Sequence, residues 1–101
     1  MSSELQWQQQ ASALRLTGKL DHETLLPLWN QRNAVMQGIS EMDLSGLSRV
    51  DSAGLALLVH LQDIVRRQGT QLTFSGISDK LQSLIALYNL QHIIVSSKES
   101  R

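Results

Sequence analysis

The chain has 101 residues, 42% of them hydrophobic and 18% charged, with nine basic residues against nine acidic ones. That length fits one domain, 1–101, and the apolar content is enough to bury a core, which excludes a disordered tail. The even charge balance argues against a broad electrostatic grip on nucleic acid or on an anionic membrane surface, and the lack of cysteine excludes disulfides, thiolate metal sites and thiol catalysis.

In chain order, the first residues, Met1 to Gln8, have neither the basic end nor the apolar run of a secretory signal. Leu5 and Trp7 predict a short first strand, with Gln8-Gln9-Gln10 at its end and in the following hairpin. Leu14, Leu16 and Leu20 share one parity around Gly18 and predict a second strand. Asp21 suits an N-cap, and Leu25, Leu28, Trp29 and Met36 behind it fall at helical spacing, with Gly38 as the stop. Pro27 removes one intrahelical hydrogen bond, so a kink or a tight first turn is expected there.

Ile39 to Leu44 reads as a third strand, followed by a polar turn. A second helix is predicted from Ala53 to Gln68, stopped by Gly69, with its core face centred on Leu57, Leu58, Leu61, Ile64 and Val65. Leu55 and Val59 fall to one side of that face, beside Gln62 and Arg66, so the apolar arc is wider than one core stripe requires. Leu72 and Phe74 mark a fourth strand. Ser78 or Asp79 caps a third helix carrying Leu81, Leu84, Ile85 and Tyr88. Ile93-Ile94-Val95 reads as a final strand and 96–101 as a frayed tail. The strongest apolar stretch, Leu55–Leu61, holds seven residues and includes His60, whereas a membrane helix needs about 20. A cytoplasmic chain with no direct membrane insertion is expected.

Asp51-Ser52 delivers the chain into the second helix, where the first backbone amides lack helical partners and the dipole is positive. Two readings of Ser52 and Asp51 stand side by side. Either one of them simply caps the helix, or the Ser52 hydroxyl is displayed for a partner or for phosphorylation, a phosphate there being stabilised by the same amides. Ala53 and Ala56 are small enough to let another chain approach the first turn closely.

Catalysis has the letters of a hydrolytic triad in Ser52, Asp79 and His92, but Val50 stands where a nucleophile elbow needs its first glycine. A hundred residues also leave little room for a substrate pocket beside a core. His22, His60 and His92 show no paired metal spacing. His22 is expected in a helix's first turn and His60 on the exposed side of the second helix. Trp7, Trp29 and Tyr88 are too scattered for a base-stacking platform. The expectation is a binding protein that is not an enzyme and carries no cofactor or metal.

Gly18-Lys19-Leu20-Asp21 opening a helix, then Asp43-Leu44-Ser45, then Val50-Asp51-Ser52-Ala53-Gly54-Leu55 resemble the STAS domain of anti-sigma-factor antagonists and sulfate-transporter tails. The resemblance covers nearly the whole chain in element order. It implies an α/β fold in which a mixed sheet of four to five strands packs against three or more helices. A closer resemblance, carried by Thr24–Trp29, Ser48–Asp51, Gly54–Leu58 and Leu87–Leu90, is to the STAS subunits of phospholipid-transporting ABC transporters.

That resemblance implies a partner, the transporter's cytoplasmic ATPase subunit and through it the permease complex. It also implies a role in keeping phospholipids out of the outer leaflet of a Gram-negative outer membrane. Asp51, Ser52, Ala53, Gly54, Leu55, Ala56 and Val59 are the expected partner-binding residues. Ser52 falls where the antagonists carry a phosphorylated hydroxyl, which leaves a second reading: an anti-sigma-factor antagonist switched by phosphorylation. Ala53 departs from the Ser or Thr often found next in that group, which weakens the switch.

Overall fold

A computed structural model describes residues 4–94. Strand β1, Gln6–Gln10, turns through Ala11 and Ser12 into β2, Ala13–Leu20, and the two pair antiparallel, with Trp7 opposite Leu16. The chain then passes through two short helices, α1 at Leu26–Asn30 and α2 at Arg32–Val35. Strand β3, Glu41–Val50, lies parallel to β2, and helix α3, Ser52–Arg67, follows it directly. Strand β4, Thr73–Ser75, runs parallel to β3 and leads to helix α4, Asp79–Leu87. The sheet order is β1-β2-β3-β4. The described residues therefore form the α/β fold with a mixed sheet that the resemblance implied, with four strands where four to five were expected.

The sheet buries one face. Leu14, Leu16 and Leu20 of β2, Met42 and Leu44 of β3 and Phe74 of β4 are all 2% exposed or less. These are the alternate positions of each strand, as a sheet covered on one side requires. Leu57, Leu58, Leu61 and Val65 of α3 and Leu81 and Ile85 of α4 join the same cluster. The opposite face is polar: Arg15 lies 4.0 Å from Asp43 across the β2–β3 pair. Asp43 also accepts from the Ser45 amide and hydroxyl, at 3.0 and 2.7 Å.

Each buried leucine is worth about 1.5–3 kcal/mol of transfer free energy. The ion pairs of Asp63 with Arg66 and Arg67, on the solvent side of α3, are screened by water and contribute little. The leucine face holds α3 in place. Ser78 caps α4, its hydroxyl accepting from the Leu81 amide at 3.1 Å. Ser78→Ala is expected to cost about 1 kcal/mol, read as a lower midpoint in thermal unfolding.

Four sequence expectations need correction. The helix expected from Asp21 to Gly38 is two short ones: Pro27 occupies the first turn of α1, and Gln31, at φ −110°, breaks the run. Asp21 caps neither, because its carboxylate accepts from Glu23 two residues on and holds a turn instead. The third strand starts at 41 rather than 39 and does not end at Leu44, so no polar turn precedes Asp51. Two register shifts against β2 absorb the extra residues, and the Ser48 hydroxyl donates to the Gly18 carbonyl at 3.1 Å. Gly46 passes so close to Thr17 that a Cβ would sit 2.6 Å from its methyl group.

The final strand is the fourth correction. Ile93 and Ile94 form a turn, both amides donating to the Leu90 carbonyl, at 3.0 and 2.9 Å. Ile94 is buried all the same, so its apolar character reflects the core and not a ladder. Val95 and the predicted tail at 96–101 lie outside the described residues.

Candidate functional site

The first two turns of α3 begin where β3 ends, over the last residue of β2. Asp51 has extended backbone, and its Oδ1 accepts from the Gly54 amide at 2.9 Å, so Asp51 is the N-cap. Its main-chain N–H donates to the Leu20 carbonyl, which ties the cap to the end of β2. Ser52 is thereby freed from capping. Its side chain stands exposed at the first helical position, with Ala56 one turn further on the same side and Val59 half-buried beyond it. Ala53 is half-buried next to them. The result is a stripe of small side chains ending in a hydroxyl beside a helix N-terminus.

Two of the seven expected contact residues face inward. Gly54 is buried because α3 crosses β2 there: a Cβ would meet the Leu20 carbonyl oxygen at 2.3 Å and Leu20 Cγ at 2.9 Å. Leu55 is 2% exposed and belongs to the core cluster, so the core arc of α3 is wider than the sequence reading drew it. Ile64, placed at the centre of that arc, is only half-buried. Of the seven, Asp51, Ser52, Ala53, Ala56 and the edge of Val59 reach the surface.

His22 does not sit in a helix's first turn as expected, and its part in this site has no signal in the sequence. It lies in the turn between β2 and α1, where its main-chain N–H donates to Asp51 Oδ2 at 3.2 Å and its Nδ1 lies 3.1 Å from the same oxygen. Thr24 fixes that turn, its hydroxyl accepting from the Asp21 amide at 3.0 Å and donating to the Lys19 carbonyl at 2.8 Å. Burial alone would push the Asp51 carboxyl up. The Gly54 amide and the His22 imidazole and amide outweigh it and hold Asp51 below the ordinary carboxylate range. Arg49, two residues before Asp51, forms no ion pair with it; His22 takes that place.

A cleft of about 780 Å³ opens beside Asp51, between the end of β3 and the start of α4, with Leu44, Leu47 and Leu81 among its apolar lining and Arg49 and Lys80 among its charged lining. Asp79 lines this cleft, whereas His92 lines a separate groove with Val59 and Arg66. Among the described residues no hydrogen bond joins Ser52, Asp79 and His92, so the triad letters are not brought together. His60 is exposed, and its ring meets Trp29 edge-on at 5.2 Å. No helix of the described residues is long and apolar enough to cross a membrane.

The sequence profile of the family described as "Mlab, STAS domain" matches residues 3–96. The chain belongs to that family. Two relatives in it, from Escherichia coli (strain K12) and Shigella flexneri, are each named intermembrane phospholipid transport system binding protein MlaB. Each is 49% identical over 90 residues, which are 89% of this chain and 93% of the relative. Two solved structures of the anti-sigma factor antagonist SpoIIAA share the fold. The phosphorylated form aligns at a TM-score of 0.65 with 14% identity, over 94% of this chain and 92% of the other. The unphosphorylated form aligns at 0.67 with 13% identity, over 95% and 89%. At such identities the likeness speaks for the STAS fold alone. Membership of the MlaB family and the STAS fold are what the sequence motifs had pointed to.

Proposed function

We propose that this chain is a non-catalytic regulatory or assembly subunit that binds the cytoplasmic ATPase of an ABC transporter moving phospholipids between membranes. The observation that carries the reading is the 49% identity, across nearly all of both chains, to relatives named as binding proteins of an intermembrane phospholipid transport system. The site geometry fits the same role. Asp51 takes over the capping, so the Ser52 hydroxyl is left on the surface with small residues around it. A partner helix or loop can approach such a stripe closely and receive a hydrogen bond from the hydroxyl.

In this reading the protein sits on the cytoplasmic side, peripheral to the inner membrane, and reaches the permease through the ATPase. Its effect is to support lipid asymmetry of the outer membrane. Ser52 acts first as an interface hydroxyl; phosphorylation there would add negative charge at the centre of the contact. An interface of standard size would bury roughly 1,200–2,000 Å² in total.

Pull-down of the tagged protein from native cells tests the proposal. An ABC ATPase and its permease recovered together are the expected result. A serine-kinase anti-sigma factor in their place would transfer the chain to the antagonist class on the same fold.

A further inference from the structure

His22 and Asp51 are 29 residues apart in sequence, yet one carboxylate joins them and the start of α3 into a single unit. Oδ2 takes the His22 amide and imidazole, at 3.2 and 3.1 Å, while Oδ1 takes the Gly54 amide at 2.9 Å. The residue that follows is Ser52. We infer that His22 and Asp51 form a proton-dependent clasp on the docking site, so that the partner is held more tightly when His22 is protonated and released more readily when it is not. The inference rests on the docking role proposed above for Ser52.

Among the described residues, the charged groups that act on His22 are carboxylates. Asp51 approaches from the start of α3, Glu23 lies 3.8 Å from Nε2, and Asp21 lies in the same turn. The hydrogen bond to Asp51 is the main cause that raises the imidazole above its ordinary value of 6.5; desolvation is the next largest influence and opposes it, and the three negative charges add to the rise. Asp51 in turn stays ionised to below the usual carboxylate range.

A raised histidine contributes fully below pH 6.5, and its contribution is lost as pH rises through the raised value. Below the lowered value of Asp51 the pair is lost again, so the clasp is complete in the mildly acidic range.

Docking amplifies this dependence. The imidazole is 70% exposed and the Asp51 side chain 26% exposed in the free protein, so water screens the pair. A partner seated on Ser52 excludes that water. With His22 protonated, the pair enters the interface without net charge; with His22 neutral, Asp51 enters as an uncompensated carboxylate, which is costly to desolvate. If docking moves the histidine by one pH unit, affinity at pH 6 exceeds that at pH 8 by up to about tenfold.

Two measurements on the full chain decide it. In the free protein, a pH titration followed by amide NMR is expected to show the Ser52 and Gly54 amides shifting with the His22 ring, with a midpoint above 6.5. His22→Gln, an exposed change that leaves the main-chain bond to Asp51 in place, is expected to abolish that shift. Amides that ignore the His22 titration, or that shift equally in His22→Gln, overturn the clasp.

In the second measurement, affinity for the purified ATPase subunit is compared at pH 6 and pH 8. The wild type is expected to weaken at the higher pH and His22→Gln to bind equally at both. A wild type indifferent to pH, or a variant with the wild-type slope, overturns the inference. A wild type that binds at neither pH overturns the ATPase assignment instead, and the clasp then stands or falls on the NMR result.

Discussion

Ser52→Glu is expected to weaken binding to the ATPase subunit by about a hundredfold or more while the free protein stays folded. Ser52 is exposed at the first position of α3, so the new carboxylate meets no steric conflict in the free chain. It also lies at the positive end of the helix dipole, where a negative charge is worth a few tenths of a kcal/mol in favour of the fold. The interface reverses the balance. A desolvated carboxylate without a partner costs several kcal/mol, and each 1.4 kcal/mol is a factor of ten in affinity.

Ser52→Ala separates charge from hydroxyl. It removes one neutral hydrogen bond, worth about 0.5–1.5 kcal/mol, and is expected to weaken binding by less than about fifteenfold. Calorimetric titration against the ATPase subunit, with thermal unfolding of each variant as control, reads both effects. Wild-type affinity in Ser52→Glu would remove Ser52 from the contact.

Gly54→Ala is expected to lower stability by about 1–3 kcal/mol, although alanine is normally the better helix former by up to about 1 kcal/mol. The preference is overruled by space. A Cβ would stand 2.3 Å from the Leu20 carbonyl oxygen, a backbone atom that the β2–β3 ladder and the Asp51 amide hold in place. Relief requires the first turn of α3 to lift away from β2, which disturbs the Asp51 cap and the packing of Leu55 and Leu58. At about 4–8 °C per kcal/mol for a domain of this size, the midpoint should fall by roughly 4–24 °C. A variant that melts at or above the wild-type temperature would contradict the close crossing of α3 over β2. Because Gly54 is buried, any loss of partner binding in this variant reports on the shape of the site and not on a lost contact.

Much of the fold was legible because its signals are local. Leu14, Leu16 and Leu20 alternate as one covered sheet face demands, and Ser78 and Gly69 punctuate helices in the ways their chemistry favours. What failed was set by partners distant in sequence. Ser45, Gly46 and Ser48 read as a turn because they are polar, yet β2 pairs with that stretch and draws it into β3. Ile93 and Ile94 have the composition of a strand, but no ladder includes them and the Leu90 carbonyl curls them into a turn.

The site divides in the same way. The motif from Asp51 to Val59 located the first turns of α3, and Asp51 emerged as the cap by simple helix chemistry. Which side of the helix is free depended on where β2 runs beneath it, and so Gly54 and Leu55 were misjudged. His22 had no signal at all in the sequence. It is one histidine in a polar turn, and only the fold brings it to Asp51.

Amide hydrogen exchange of this chain, with and without the purified ATPase subunit, tests the central claim most directly. Binding through the exposed side of α3 predicts slowed exchange at residues 51–59 and in the His22 turn, with the end of α4 around the exposed Leu87 and Tyr88 unchanged. Protection confined to the end of α4, or none anywhere at saturating ATPase, would contradict it.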